Sequence, residues 1–191
     1  MLEPFVILWR AKTQTQPRVA RTCFERVRVH HPNALIVIFR DGEVDLSYVD
    51  ERCCMARELC PDDLSAWNYF STHERFCAGL LLHDDVFIGS RPFPPFLQNQ
   101  FLWLENPDRP DVSFRIESSN EMITFKKPLG LLGYFRKTFL QGLPNNIHAF
   151  MFGAIRKGAG FMFGHDSPIV KKPDCLDALV QVDVPVYCRI E

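Results

Sequence analysis

The sequence lacks the features by which several common classes of protein are identified. Its 22 basic and 23 acidic residues nearly cancel, whereas nucleic-acid binding requires a clustered excess of positive charge. It contains no Gly-rich phosphate loop, which disfavours dinucleotide-dependent dehydrogenases and P-loop nucleotidases. It also contains no Gly-x-Ser-x-Gly turn, the mark of many serine hydrolases. We therefore expect no nucleic-acid partner and neither of these nucleotide-binding loops.

Paired cysteines and long apolar runs are also missing. The seven cysteines are an odd number and include no Cys-x-x-Cys pair, which disfavours zinc ribbons and dithiol redox sites. The apolar run near the start, Phe5 to Trp9, is too short for a signal peptide or a membrane span. The sequence therefore predicts a cytoplasmic protein without a transmembrane segment.

The composition is that of a globular protein. Hydrophobic residues make up 47% and charged residues 24% of a 191-residue chain, which is long enough for one well-filled core. We find no internal repeat and no low-complexity tract that would mark a linker. The sequence thus predicts one domain over residues 1–191.

The first third of the chain has the pattern of a parallel α/β unit. Two continuously apolar runs, Phe5 to Trp9 and Ala34 to Phe39, flank a helical stripe that begins after Pro17 and ends near His30. A strand, a helix and a strand with short connections form a right-handed βαβ crossover. Ligands of such sheets bind at the carboxyl ends of the strands. This places Arg10 to Thr13 and Asp41 at a predicted binding edge.

A third buried strand, Leu80 to Leu82, follows a helix that begins at Asp62 or Asp63 and is predicted to end near Gly79. The second half of the chain indicates an antiparallel or mixed extension of the sheet. Its predicted strands are 101–104, 112–116, 122–125, 161–163 and 178–190, and its predicted helices are 128–140 and a segment from Pro144 to about Gly158.

The most informative feature is the pair Asp84 and Asp85 at the end of the third strand. Mg²⁺ or Mn²⁺ commonly bridges one or two carboxylates to a substrate diphosphate, so the pair indicates a cation site. The alternative is a polar turn with no function. Because alternate side chains of an extended segment face the same way, we expect His83 and Asp85 on one side and Asp84 on the other.

The segment Leu80 to Ile88, with its apolar run, acids and second apolar run, resembles the Asp-x-Asp motif of GT-A glycosyltransferases. It is particularly similar to the exostosin-type branch, and the likeness extends to Trp67-Asn68 and to Asn120 to Phe125. The resemblance implies an α/β fold with a mixed, mainly parallel sheet flanked by helices. It also implies transfer of a sugar from a nucleoside diphosphate sugar to a hydroxyl of a carbohydrate or glycoconjugate acceptor.

The resemblance also implies a set of site residues. Mn²⁺ or Mg²⁺ would be held by His83, Asp85 and the late His165, while Asp84 would face the donor. Asp41 would contact the nucleoside, unless it only forms an Asp-Gly turn. Arg75 resembles the basic residue of the helix before the motif, which approaches the donor. Independently of the resemblance, Arg10 and Lys12 follow the first strand and are candidates to meet the diphosphate or ribose. For all three, exposure to solvent is the alternative.

Two departures from the family pattern leave alternatives open. His83 stands where the first acid of the motif is expected, and Asn145 and Asn146 stand where the exostosin-type branch has an acidic pair. The catalytic candidates at this place are Asn146 and His148. Amides cannot act as a general base or nucleophile, so only His148 is a candidate base. A degenerate nucleotide-sugar-binding or assembly domain is therefore the alternative function. A hydrolase using Asp84, Asp85 and His165 is a third.

Overall fold

The structure is a computed structural model, and it describes residues 5–88, 101–105, 112–116, 120–125, 128–157, 160–162 and 187–189. The described helices are α1 (Pro17–His30), α2 (Asp63–Thr72), α3 (Lys137–Leu140) and α4 (Ile147–Arg156). The described strands are β1 (Phe5–Ala11), β2 (Leu35–Arg40), β3 (Cys53–Met55), β4 (Ala78–His83), β5 (Val86–Ile88), β6 (Phe101–Glu105), β7 (Val112–Ile116), β8 (Glu121–Phe125), β9 (Pro128–Arg136), β10 (Gly160–Met162) and β11 (Tyr187–Arg189).

Seven of these strands form one mixed sheet in the order β10-β6-β9-β4-β1-β2-β3. Strand β9 runs antiparallel to both of its neighbours, while the other pairs of this sheet are parallel. Two short antiparallel pairs, β5 with β11 and β7 with β8, lie outside it. The predicted α/β class with a mixed sheet flanked by helices is thus confirmed.

The centre of the sheet is β1, which pairs in parallel with β2 on one side and β4 on the other. Ile7 lies opposite both Ile36 and Leu80, and all three side chains are fully buried. A strand covered on both faces reads as a continuous apolar run rather than an alternating one. The prediction that these three strands are parallel neighbours is confirmed.

Helix α1 begins and ends where the sequence predicts, with Pro17 in its first turn and a buried stripe that includes Val19, Cys23 and Val27. Helix α2 begins as predicted, because the Asp62 carboxylate accepts a hydrogen bond from the Ser65 backbone N–H at 2.8 Å. It ends at Thr72 rather than near Gly79.

The largest error in the prediction concerns residues 128–136. They were predicted to be helical, but in the structure they form strand β9. The reason is visible in their burial, since Leu131, Leu132, Tyr134 and Phe135 are all in the core. A surface helix would expose part of such a run, whereas a central strand buries both faces. Only residues 137–140 form a helix, the short α3.

Most of the remaining elements agree with the predictions where the structure describes them, but strands β3 and β5 were not predicted. Strands β6, β7, β8 and β10 and helix α4 lie in the predicted segments, and β11 covers part of the last one. Residues 178–186 lie outside the described residues. Within the described ranges, every helix is too short or too polar to cross a bilayer.

Candidate functional site

The candidate site lies at the carboxyl edge shared by β1, β2 and β4. The parallel register places Ala11 beside Arg40 and Arg10 beside His83, so the segments that follow the three strands meet there. They deliver Lys12, Asp41 and the pair Asp84-Asp85 to one edge. This is the edge at which open α/β sheets bind ligands.

Asp84 holds the loop that follows β1. Its Oδ2 accepts a hydrogen bond from the Lys12 backbone N–H at 2.9 Å, and its Oδ1 accepts one from the Thr15 hydroxyl at 2.7 Å. The residue is only 2% exposed. Burial raises its pKa to about 6, although the hydrogen bonds from Lys12 and Thr15 oppose that shift. Asp84 therefore has a structural role in addition to any contact with a ligand.

Asp85 forms an ion pair with Lys12. The Lys12 Nζ lies 2.6 Å from the Asp85 Oδ2, and both residues are buried, Lys12 with 5% of its surface exposed. A buried charge without a partner costs several kcal/mol. The ammonium and the carboxylate therefore depend on each other, and the pair fixes the position of one positive charge at the carboxyl edge.

A second carboxylate network lies beside this pair and is centred on Asp63 of α2. Its Oδ1 lies 2.6 Å from the His83 Nε2 and 2.9 Å from the Arg10 Nη1, and its Oδ2 accepts the Leu131 backbone N–H at 3.0 Å. Burial alone would raise the pKa of Asp63, but these partners, His83 above all, hold it well below its usual range. Arg10 also donates to the Pro61 carbonyl oxygen.

His83 and Asp85 lie on the same side of the chain, as the alternation predicts. The His83 Nδ1 is 3.9 Å from the Asp85 Oδ1, while Asp84 faces Thr15. Because the Nε2 atom is bonded to Asp63, a carboxylate fixes the orientation of the imidazole ring.

These residues, as arranged, do not fit a Mn²⁺ or Mg²⁺ site. The Lys12 ammonium already lies on Asp85, the Asp84 oxygens are bonded to Lys12 and Thr15, and His83 is bonded to Asp63. A divalent cation at Asp85 would lie close to the ammonium charge and be repelled by it. Among the described residues, no cluster of three or more His, Cys, Asp or Glu side chains is arranged to hold a metal.

Asp41 and Arg75 were also predicted to contact the donor, and only Asp41 lies at the carboxyl edge of the sheet. The Asp41 Oδ1 accepts the Thr13 backbone N–H at 2.9 Å, so Asp41 is at the predicted edge and fixes the loop after β1. Arg75 is not at that edge. It lies between α2 and the amino end of β4, with its guanidinium over the Phe76 ring, because α2 ends before it and the chain turns there.

The structure describes the side chain of only one of the two predicted catalytic residues, Asn146. The Asn146 side-chain oxygen accepts the Ala149 backbone N–H at 3.2 Å, and Asn145 accepts from Asn68 of α2 at 2.6 Å. Asn146 therefore caps α4, as an amide before a helix commonly does. His148 lies in α4, but its side chain is outside the described part of the structure, as is all of His165.

A pocket of about 120 Å³ opens beside the acid pair. It is lined by Lys12, Thr13, Thr15, Pro17, Ala20, Glu43, Val44, Asp45, Tyr48 and Asp84. The Tyr48 hydroxyl accepts a weak hydrogen bond from the Trp9 ring N–H at 3.4 Å, and burial raises the pKa of Tyr48 to about 12. The pocket wall thus combines Lys12 with several residues that carry hydrogen-bond acceptors.

A second pocket, of about 810 Å³, lies between α2 and the segment after β3. Its lining includes Arg57, Leu59 and Tyr69 but neither Asp84 nor Asp85. It is therefore a separate cavity from the one beside the acid pair.

Sequence reasoning missed several residues of the site, among them Thr15 and the inward-facing Asp63. Their partners Asp84 and His83 are 69 and 20 positions away in the chain, and no local pattern records such a pairing. Lys12 was recognised only as one of several basic residues near a strand end. No local signal showed that it lies on Asp85.

Comparison with protein-family models and with curated protein sequences finds no match to this chain, so its function is inferred from the site itself.

Proposed function

We propose that this chain is a glycosyltransferase that moves a sugar from a nucleoside diphosphate sugar to an acceptor hydroxyl. The observation that carries the proposal is that Lys12, Thr15 and Asp84 line one pocket at the carboxyl edge of β1 and β4. Asp85 does not line this pocket but forms the ion pair with Lys12. The sequence resemblance of Leu80 to Ile88 to the GT-A motif adds the reaction class.

The pocket suits the polar parts of a nucleotide donor. A diphosphate is strongly anionic and requires a fixed positive charge, which Lys12 supplies. Ribose hydroxyls donate hydrogen bonds, and the carboxylates of Glu43 and Asp45, which line the pocket, can accept them. A pocket of about 120 Å³ holds one ring of the donor, so the sugar would project out of it toward the acceptor.

In this proposal Asp41 acts through the loop rather than on the nucleoside. Its bond to the Thr13 backbone N–H fixes one side of the segment that Asp84 fixes from the other. The two carboxylates thereby hold the backbone of Lys12 and Thr13 in place. Rigid placement of a charge reduces the entropy lost when a ligand binds.

A second candidate is a degenerate domain that binds a nucleotide-sugar, or serves in an assembly, without transferring the sugar. The roles of Asn145 and Asn146 favour it, because both amides are bonded within the fold at the place where the family resemblance implies an acidic pair. An amide cannot take the proton of an acceptor hydroxyl. His148 remains the candidate base.

Calorimetric titration with a panel of nucleoside diphosphate sugars, followed by assay of nucleoside diphosphate release with and without sugar acceptors, separates the two. The glycosyltransferase proposal predicts binding and acceptor-stimulated release. Binding with no release for any donor and acceptor would favour the degenerate domain. No binding by any donor would contradict both.

A further inference from the structure

The Lys12–Asp85 ion pair lies where the family resemblance implies a divalent cation. Asp85 matches the metal-binding acid of the Asp-x-Asp motif, yet the group on its Oδ2 is an ammonium at 2.6 Å. Lys12 reaches this position because it directly follows β1, the strand beside β4. The two residues of the ion pair therefore lie in the segments that directly follow adjacent strands of the sheet.

The surroundings of the ammonium leave it able to bind a ligand as well. An ammonium group has three N–H donors, and Asp85 takes one of them. Lys12 lines the 120 Å³ pocket together with Thr15. Asp85, which holds the ammonium, does not line this pocket, so the inference requires a ligand oxygen to reach past the pocket wall to the remaining N–H donors of Lys12.

We propose that Lys12 is the resident cation of this site, and that it binds the donor diphosphate in place of Mn²⁺ or Mg²⁺. The inference rests on the proposed function for the identity of the donor. It differs from that function in stating that binding needs no divalent cation. Asp85 then positions the ammonium instead of coordinating a metal.

The alternative is that a divalent cation displaces Lys12 from Asp85 when the donor binds. That arrangement would remove the buried ammonium from its carboxylate partner. It would also make His83 one of the metal ligands, although the His83 Nε2 is already hydrogen-bonded to Asp63. Hard cations prefer oxygen ligands. The two arrangements predict opposite responses to a chelator.

The test is calorimetric titration with UDP, GDP, ADP and CDP and with inorganic pyrophosphate, each in EDTA and in Mn²⁺. The variants are Lys12→Met, the double variant Lys12→Met/Asp85→Asn, and Asp85→Asn. The double variant removes both charges, so that no unpaired charge remains buried if Lys12→Met alone fails to fold. The control is Lys137→Met, because Lys137 is a partly buried lysine that bonds to the His73 carbonyl oxygen at the other edge of the sheet.

We expect one nucleoside diphosphate to bind equally well in EDTA and in Mn²⁺. Removal of Lys12 should weaken that binding by about ten- to a hundredfold, the value of one charge-assisted hydrogen bond. Asp85→Asn, which keeps the ammonium, should weaken it less, and Lys137→Met should not change it. Circular dichroism confirms that each variant is folded.

The other outcomes separate this inference from the proposed function. Nucleotide binding only in Mn²⁺, or lost as fully in Asp85→Asn as in the Lys12 variants, would overturn the inference and leave the function standing. Binding of pyrophosphate but of no nucleotide, with Lys12 required, would support the inference and contradict the nucleotide donor. No binding of any of these ligands would overturn both.

Discussion

The Asp63 carboxylate and the His83 imidazole lie 2.6 Å apart although 20 positions separate them in the chain. The contact links the first turn of α2 to the end of β4, and Arg10 at the end of β1 joins it. Three elements are thereby tied together beside the Lys12–Asp85 pair, since the His83 Nδ1 is 3.9 Å from the Asp85 Oδ1. The candidate site thus rests on a buried polar network as well as on the apolar core.

Replacing Asp63 by Asn should destabilise the fold. The variant loses the charge that bonds to Arg10 and His83, so we expect the free energy of unfolding to fall by about 2–4 kcal/mol at pH 7. The control Asp62→Asn should change it by a few tenths of a kcal/mol only, because Asn caps helices as well as Asp. Denaturant titration of both variants measures the difference, and equal losses would contradict the role of Asp63.

The same variant should alter the response to acid. Because the pKa of Asp63 lies below its usual range in the fold, its stabilising effect is present above about pH 4 and is lost as the pH falls further. The difference in unfolding free energy between the wild-type protein and Asp63→Asn should therefore shrink between about pH 4 and pH 2. A difference that stays constant over this range would contradict the assigned ionisation.

Asp84 should have the opposite dependence on pH. Its pKa is raised to about 6 in the fold, so ionisation of Asp84 costs stability as the pH rises from about 4 to about 6. Relative to Asp84→Asn, the wild-type protein should lose about 2 kcal/mol of unfolding free energy across this interval. Parallel pH profiles for the two proteins would show that burial does not shift this carboxyl group.

The Lys12–Asp85 pair should show strong coupling in a double-mutant cycle. Lys12→Met leaves a buried carboxylate without its ammonium, which should cost about 3–5 kcal/mol, whereas Lys12→Met/Asp85→Asn should recover at least half of that loss. Thermal and denaturant unfolding of the four proteins gives the coupling energy. Additive effects of the two substitutions would contradict the ion pair.

Asn146 provides a test of the capping role against a catalytic one. Asn146→Ala removes the acceptor for the Ala149 backbone N–H and should lower the unfolding free energy by about 1 kcal/mol, while Asn146→Asp should retain most of it. If the residue only caps α4, neither variant changes sugar transfer beyond the loss of folded protein. A large fall in turnover in a fully folded Asn146→Asp would instead indicate a catalytic amide.

Much of the parallel half of the fold could be predicted from the sequence. Runs such as Phe5 to Trp9 are apolar on both faces, and such runs separated by a helix have few alternatives to a βαβ unit. The strand ends then give the binding edge, and with it Asp84 and Asp85. Strand β9 was mistaken for a helix because burial on two faces and burial within a helix leave similar local patterns.

The partners within the site could not be predicted in the same way. That Lys12 lies on Asp85, and Asp63 on His83, depends on side-chain directions at elements that meet only in the folded sheet. Arg75 shows the opposite error. It is close to the acidic motif in the sequence and was expected at the donor, but it lies toward the amino end of β4. Spacing along the chain does not record which sheet edge a loop occupies.

The central claim is that the pocket at the carboxyl edge of β1 and β4 binds the nucleoside diphosphate of a sugar donor. The most direct measurement is a ¹H–¹⁵N NMR titration of the protein with UDP, GDP, ADP and CDP in EDTA. The account predicts that one of them shifts the backbone amide signals of Lys12, Thr13, Thr15 and Asp84 in a saturable manner. Unchanged signals for all four nucleotides, or shifts confined to the separate pocket at Arg57, Leu59 and Tyr69, would contradict it.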